Sequence, residues 1–191
     1  MELKLGVRMI TKILLLLSIT TLQAFLDESV ANLKKNKECL RCDLSFWASP
    51  HTDLSGYKLN ESQFNFSNLL GSDITGADLS SSSLQNTLLV DTWLSGTNFS
   101  NASGEGANLR GADASGSNFT NANFMGAFFY GTKLVTADFT NTNLMQAGLS
   151  DADLREAIFN GTRLEYTLCN NKTQLPKGYI CEKNKVRKQE E

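Results

Sequence analysis

A chain of 191 residues with 18 Lys plus Arg against 20 Asp plus Glu suits one domain of ordinary size and carries a formal net charge of -2. The balance is uneven, because residues 52–169 hold 12 acidic against 5 basic side chains whereas residues 170–191 hold 3 against 6. So weakly charged a body argues against a nucleic-acid partner, which would want clustered Lys and Arg to meet phosphates.

The first twelve residues carry Lys4, Arg8 and Lys12 against Glu2, and an apolar run at 13–20 leads to Thr21-Leu22-Gln23-Ala24. A basic start, a short apolar centre and a small residue at the cleavage point predict a secretory signal peptide over 1–24. The run falls short of the about 20 apolar residues that a spanning helix needs, and an uncleaved anchor, the chain's one means of membrane attachment, is the alternative. Either way the remainder lies outside the cytosol, in a periplasm, a lumen or the extracellular space, where thiols can be oxidised.

Residues 25–51 read as an N-terminal cap. Residues 27–37 begin with acids and end with lysines, as the helix dipole favours, and Val30 and Leu33 lie three apart on one face. A short helix here would cover an open end of whatever follows. Cys39 and Cys42 form a C-x-x-C, read either as a thiol-disulfide exchange site or as a structural pair at the cap, the second in better keeping with compartment and position. With no second pair and no nearby His it is not a zinc site. Leu44 is in register with the segment that follows, but Phe46-Trp47-Ala48-Ser49-Pro50-His51 spoils the pattern and predicts an irregular first coil with Trp47 bulging.

From 52 to 169 one rule holds every five residues. Of the 23 positions taken every fifth residue from Leu54 to Leu164, 21 are Leu, Ile or Phe, the exceptions being Gly104 and Ala114. Two residues before each centre, from Thr52 to Thr167, 23 of 24 positions are Ala, Ser or Thr, and Tyr57 alone departs. Five is neither the helical period of 3.6 nor the strand alternation of two, and so short a repeat used so often means a solenoid. The motif, plain in Ala77-Asp78-Leu79-Ser80-Ser81 and Ala107-Asn108-Leu109-Arg110-Gly111, resembles the pentapeptide-repeat family, and Cys39-Leu40-Arg41-Cys42-Asp43-Leu44-Ser45 looks like the entry segment of many bacterial members.

What the resemblance implies is an all-β fold, a right-handed quadrilateral β-helix of about six coils with an N-terminal helical cap and a C-terminal cap, its centres and small residues both facing inward. Centres twenty apart should then stack, and Phe99, Phe119, Phe139 and Phe159 fall in one such column. Gly104 and Ala114 should leave a thin spot for Phe119 and Phe124 to fill.

Function on such a scaffold sits on the outward residues. Most are Ser, Thr, Asn, Asp or Gly, but one wall exposes Leu70, Leu88, Val90, Phe128 and Tyr130, and its neighbour adds Phe66, Met125 and Met145. Stacked apolar residues make a candidate contact patch for a protein partner or a second copy, unless a terminal segment covers them. Asp53, Asp73, Asp113 and Asp153 stack on another wall, interrupted by Trp93 and Lys133. No base, activated nucleophile or carboxylate pair forms a catalytic constellation, and no cofactor or metal site is expected.

After Leu168-Cys169 the register ends, and 170–181 reads as a C-terminal cap with Leu175, Tyr179 and Ile180 available to cover the rod's end. In an oxidising compartment Cys169 and Cys181 should join as a staple. Residues 182–191 are charged and predict disorder. The first functional expectation is an exported, non-catalytic scaffold that presents a wall to a partner. The second, drawn from cytoplasmic relatives of the resembled family, is an acidic, DNA-mimicking inhibitor of a type II topoisomerase.

Overall fold

The computed structural model describes residues 30–189 apart from 32 and 34, so the expected signal peptide lies outside the described residues. Each pentapeptide folds as a short bridge and a turn. The carbonyl of a centre accepts the N–H three residues on, as in Tyr57 N to Leu54 O and Ala77 N to Ile74 O, both 3.1 Å. The residue between them, two past the centre, is left-handed, with φ of +69° at Gly56 and +59° at Asn101. A positive φ at that place is the mark of a type II turn, and it explains the many Gly and Asn at this corner.

Every turn carries the chain to a new face, and the fifth bridge returns it above the first. Glu38 pairs with Lys58, Asp43 with Gln63, Ala48 with Asn68 and Asp53 with Asp73, all parallel and twenty residues apart, and the series continues to Gly148 with Leu168. The molecule is therefore a four-sided parallel β-helix. We number its faces by their central residues: the first carries Leu59 to Phe159, the second Phe64 to Leu164, the third Leu69 to Leu149 and the fourth Leu54 to Leu154.

The interior holds two kinds of side chain. Centres such as Phe64, Leu89, Phe119 and Leu144 are fully buried, and burial of each contributes about 1.5–3 kcal/mol. Most inward hydroxyls donate to the preceding coil, as Thr87 Oγ1 does to Phe64 O at 2.7 Å and Thr142 Oγ1 to Phe119 O at 2.6 Å, whereas Ser82 and Thr92 bond within their own coil and Ser67 Oγ has no partner. In the phenylalanine column Phe99, Phe119 and Phe139 stack at 4.9 and 4.8 Å, but Phe159 turns edge-on to Phe139 at 5.6 Å and meets Tyr179 at 5.1 Å. The thin spot is filled: the Phe124 ring, one coil on, lies where a side chain at Gly104 would stand, and it packs edge-on to Phe119 at 5.2 Å.

Two expectations about the ends need correction. The first coil is regular, with bridges already at Asp43 and Ala48. Trp47 does not bulge; it is 8% exposed and fills the interior from the small-residue slot, because Ser49 at the following centre leaves room for an indole. Helical residues lie at 30–36 where described, with Leu33 buried against this end.

The tail expected to be disordered is ordered through Gln189. Strand β1 (Tyr179–Glu182) pairs antiparallel with β2 (Lys185–Lys188) in a hairpin. The hairpin docks on the last coil through Leu168 and Lys185, through Val186 N to Thr167 O at 3.1 Å, and by burial of Val186. One apolar residue among four, placed where the rod needs a lid, outweighs the charge of its neighbours.

Candidate interaction surface

The register brings the predicted patch together only in part. On the third face the outward residues before the centres run Asn68, Leu88, Asn108, Phe128, Gly148 and Leu168, each bridged to the next. Leu70, Leu88 and Val90 form one group. Phe128 and Tyr130 form another, their rings 5.9 Å apart. Between the groups lie Asn108 and Arg110, whose guanidinium sits 5.8 Å from the Tyr130 ring centre and so continues the surface as a cation on an aromatic face.

The second group owes its shape to a glycine one coil on. A side chain at Gly148 would meet the Tyr130 ring, so the absence of one lets the phenol lie across the face. Phe128 remains 41% exposed and Leu88 equally so, and the C-terminal hairpin, seated on the rod's end, does not cover them.

The corner next to this face carries three aromatics, Phe46 and Phe66 near one end of the rod and Tyr166 at the other. Phe66 stacks on Phe46, one coil earlier, at 5.3 Å and 8° between rings, and both hold the left-handed corner conformation, with φ of +59° and +61°. Aromatic bulk at positive φ is uncommon, and this column holds it a third time at Tyr166, five coils beyond Phe66, with all three rings mostly in solvent. Phe46 was missed because the first coil was read as irregular; its place twenty residues before Phe66 was the available signal. Leu168, exposed at the far end of the same face, was missed likewise. Met125 and Met145 lie on the second face, apart from the aromatics, and the Met145 sulfur accepts from Arg163 Nη2 at 2.8 Å.

The fourth face shows what became of the aspartate column. Asp113 is bridged by Lys133 at 3.4 Å and Asp153 by Arg155 at 2.7 Å, and Trp93 stands between Asp73 and Asp113. The hydroxyl and N–H of Ser55 hold the Asp53 carboxyl below the usual carboxylate range. At Asp113 burial pushes upward, and the hydrogen bonds from Ser115 with the charge of Lys133 outweigh it, leaving the carboxyl lowered. Asp153 is lowered chiefly by its hydrogen bond from Arg155. The column is thus partly neutralised by its own neighbours.

All four cysteines are paired, Cys39 with Cys42 and Cys169 with Cys181. Cys39 is buried at the helix-covered end, as suits a structural pair. Among the described residues no three His, Cys, Asp or Glu side chains gather as a metal site, and no helix is long and apolar enough to cross a membrane.

A family model described as pentapeptide repeats (8 copies) matches residues 51–86, 82–121, 105–141 and 122–161, more than half of the chain. The chain belongs to the pentapeptide-repeat family. Pentapeptide-repeat proteins fold as right-handed quadrilateral β-helices, in agreement with the four-sided coils. Among solved structures, a pentapeptide repeat protein from the thylakoid lumen of Arabidopsis thaliana is 28% identical with a TM-score of 0.49, the match covering 58% of this chain and 71% of that one. Rfr23 from the cyanobacterium Cyanothece 51142 is 19% identical with a TM-score of 0.40, over 78% of this chain and 99% of that one. QnrB1, a plasmid-mediated fluoroquinolone resistance protein, is 19% identical with a TM-score of 0.33, over 70% and 80%. No match was found among curated proteins.

Proposed function

We propose that this pentapeptide-repeat protein is an exported, non-catalytic scaffold whose third face, with the adjoining Phe46–Phe66 corner, binds a protein partner or a second copy of the chain. The observation that carries the reading is the uncovered Phe128–Tyr130 pair lying over Gly148. An otherwise Ser, Thr and Asn surface has no structural need of these rings. Export is supported by the predicted leader and by the two disulfides, which suit an oxidising compartment.

The competing reading, a DNA-mimicking topoisomerase inhibitor, needs a continuous negative face. The fourth face offers an aspartate column broken by Trp93 and Lys133 and bridged by Lys133 and Arg155. Sedimentation of wild type and of Phe128→Glu with Tyr130→Ser tests the dimer form of the proposal. A wild-type dimer should become a monomer in the variant, and a dimer with an unchanged sedimentation coefficient in both would reject this face as its interface.

A further inference from the structure

Among the described residues the C-terminal end of the rod is capped by backbone over the third and fourth faces and has no further backbone rung over the first and second, where the Tyr179 side chain packs on Phe159. On the first and second faces of every preceding coil the centre N–H and the N–H two residues later donate to the coil that follows, as Phe139 N does to Ile158 O, Asn141 N to Asn160 O, Leu144 N to Arg163 O and Gln146 N to Glu165 O. Twenty residues on, the amides of Phe159, Gly161, Leu164 and Tyr166 have no such acceptor among the described residues. The carbonyls of Ala157 and Thr162, whose counterparts Ala137 and Thr142 accept from Ile158 and Arg163, are left over in the same way. Among the described residues no backbone returns to pair with this edge: after Gln174 caps Leu154 the chain passes through Pro176 into the hairpin on the third face, from which the Tyr179 side chain reaches back, its hydroxyl donating to Phe159 O at 2.9 Å.

This edge borders a groove. Leu164 and Tyr166 form its rod side, and Tyr179 of β1 with Lys185, Val186 and Lys188 of β2 forms its other wall. Leu164 is half-buried, whereas the other leucine and phenylalanine centres in its column, among them Phe124 and Leu144, are fully buried, so the interior here lacks its last layer. Tyr166 is 63% exposed with the Lys185 ammonium 5.2 Å from its ring centre. Of the charged residues lining the groove, Glu165 is the one acid against Lys185, Arg187 and Lys188.

We propose that this end of the rod is a second binding site, which takes an acidic peptide segment of a partner protein, extended along the first and second faces and turned at the corner between them, as one further rung of the β-helix. Free amides and carbonyls along one edge are what a strand requires when it adds to a sheet. An apolar side chain of the strand would cover Leu164, and its acids would face Lys185 and Lys188. The site is distinct from the third-face wall and does not depend on it.

A fluorescein-labelled decapeptide alternating Glu and Val serves as the probe, titrated into the full disulfide-bonded protein and followed by anisotropy, with amide hydrogen exchange read alongside. The expected result is saturable binding that slows exchange at Phe159, Gly161, Leu164 and Tyr166. Binding should weaken at least tenfold in Lys185→Glu with Lys188→Glu, vanish when the peptide's bonding amides are N-methylated, and persist in Phe128→Glu with Tyr130→Ser. Unchanged protection at the Phe119 amide shows that each variant remains folded. Equal binding of the N-methylated peptide, or of a Lys-Val alternating peptide, would overturn the proposal. So would concentration-dependent protection of the four amides without peptide, which would assign the edge to a second copy.

Discussion

The phenol of Tyr130 occupies the space above Gly148, one coil further along the rod, and this contact sets the exposed aromatic group on the third face. Gly148 is not at a left-handed corner, so a side chain there meets no backbone penalty and acts only by displacing the ring. Gly148→Val should therefore leave the coils folded while lifting Tyr130 into solvent. The expected signs are a red-shifted, more accessible tyrosine signal, a change in thermal stability of no more than about 1–2 kcal/mol, and loss of whatever the wall binds. A variant that retains full partner binding would separate Tyr130 from function.

Inward hydroxyls offer a second comparison. Ser117 Oγ donates to Leu94 O at 2.6 Å, whereas Ser67 Oγ is buried with no partner. Both residues are fully buried, so Ser→Ala removes the same atom from two different settings. Ser117→Ala should cost about 1 kcal/mol, and Ser67→Ala should be neutral or stabilising, because it deletes an unsatisfied group. Denaturant unfolding of the two variants measures the difference, and equal losses would contradict the assignment.

The hairpin depends on Cys169–Cys181, which closes a loop of 12 residues' separation around Pro176 and Gly178. Cys169→Ser with Cys181→Ser should destabilise the end of the rod by about 2–4 kcal/mol. The loss should be local, with trypsin cutting at Lys183 and Lys185 while the coils from Leu54 to Leu144 stay resistant. Simultaneous cleavage throughout would show the staple to hold the whole fold.

Acid stability should follow the fourth face. The carboxyls of Asp113 and Asp153 are lowered in the folded state, so their contribution is complete above the ordinary carboxylate value, about 3.9, and is lost as pH falls through the lower folded values. The thermal midpoint should fall more steeply below about pH 4 in wild type than in Lys133→Ala with Arg155→Ala, where these partners are gone. Parallel curves would mean that the exposed bridges contribute nothing measurable, as many do.

The coils were legible in the sequence because the period of five reports a physical slot, an inward side chain at fixed spacing, and a slot repeated over 23 centres tolerates exceptions. Gly104 fits for the same reason, since Phe124 marks the residue that takes its volume. Legibility failed where volume moved between slots or arrived from elsewhere. Trp47 and Ser49 exchange the usual sizes of slot and centre, which reads as a break in the rule although the indole is buried in the interior. Lys185-Val186-Arg187-Lys188 offers one apolar residue to a strand search, and its order comes from Thr167, Leu168 and Cys181, which local pattern does not display. The patch was half visible for a related reason. Which outward residues stack follows from counting by twenty, but that Tyr130 lies down over Gly148 follows from a missing side chain on another coil.

Site-specific photo-crosslinking in the native compartment tests most directly whether the third face is used differently from the other walls. A photoreactive side chain at Phe128 should give a discrete adduct, either a second copy of the chain or one other protein, while the same group at Asn118, on the first face, should give none. Identical adducts from both positions, or none from Phe128, would contradict the claim that the third face is where this scaffold works.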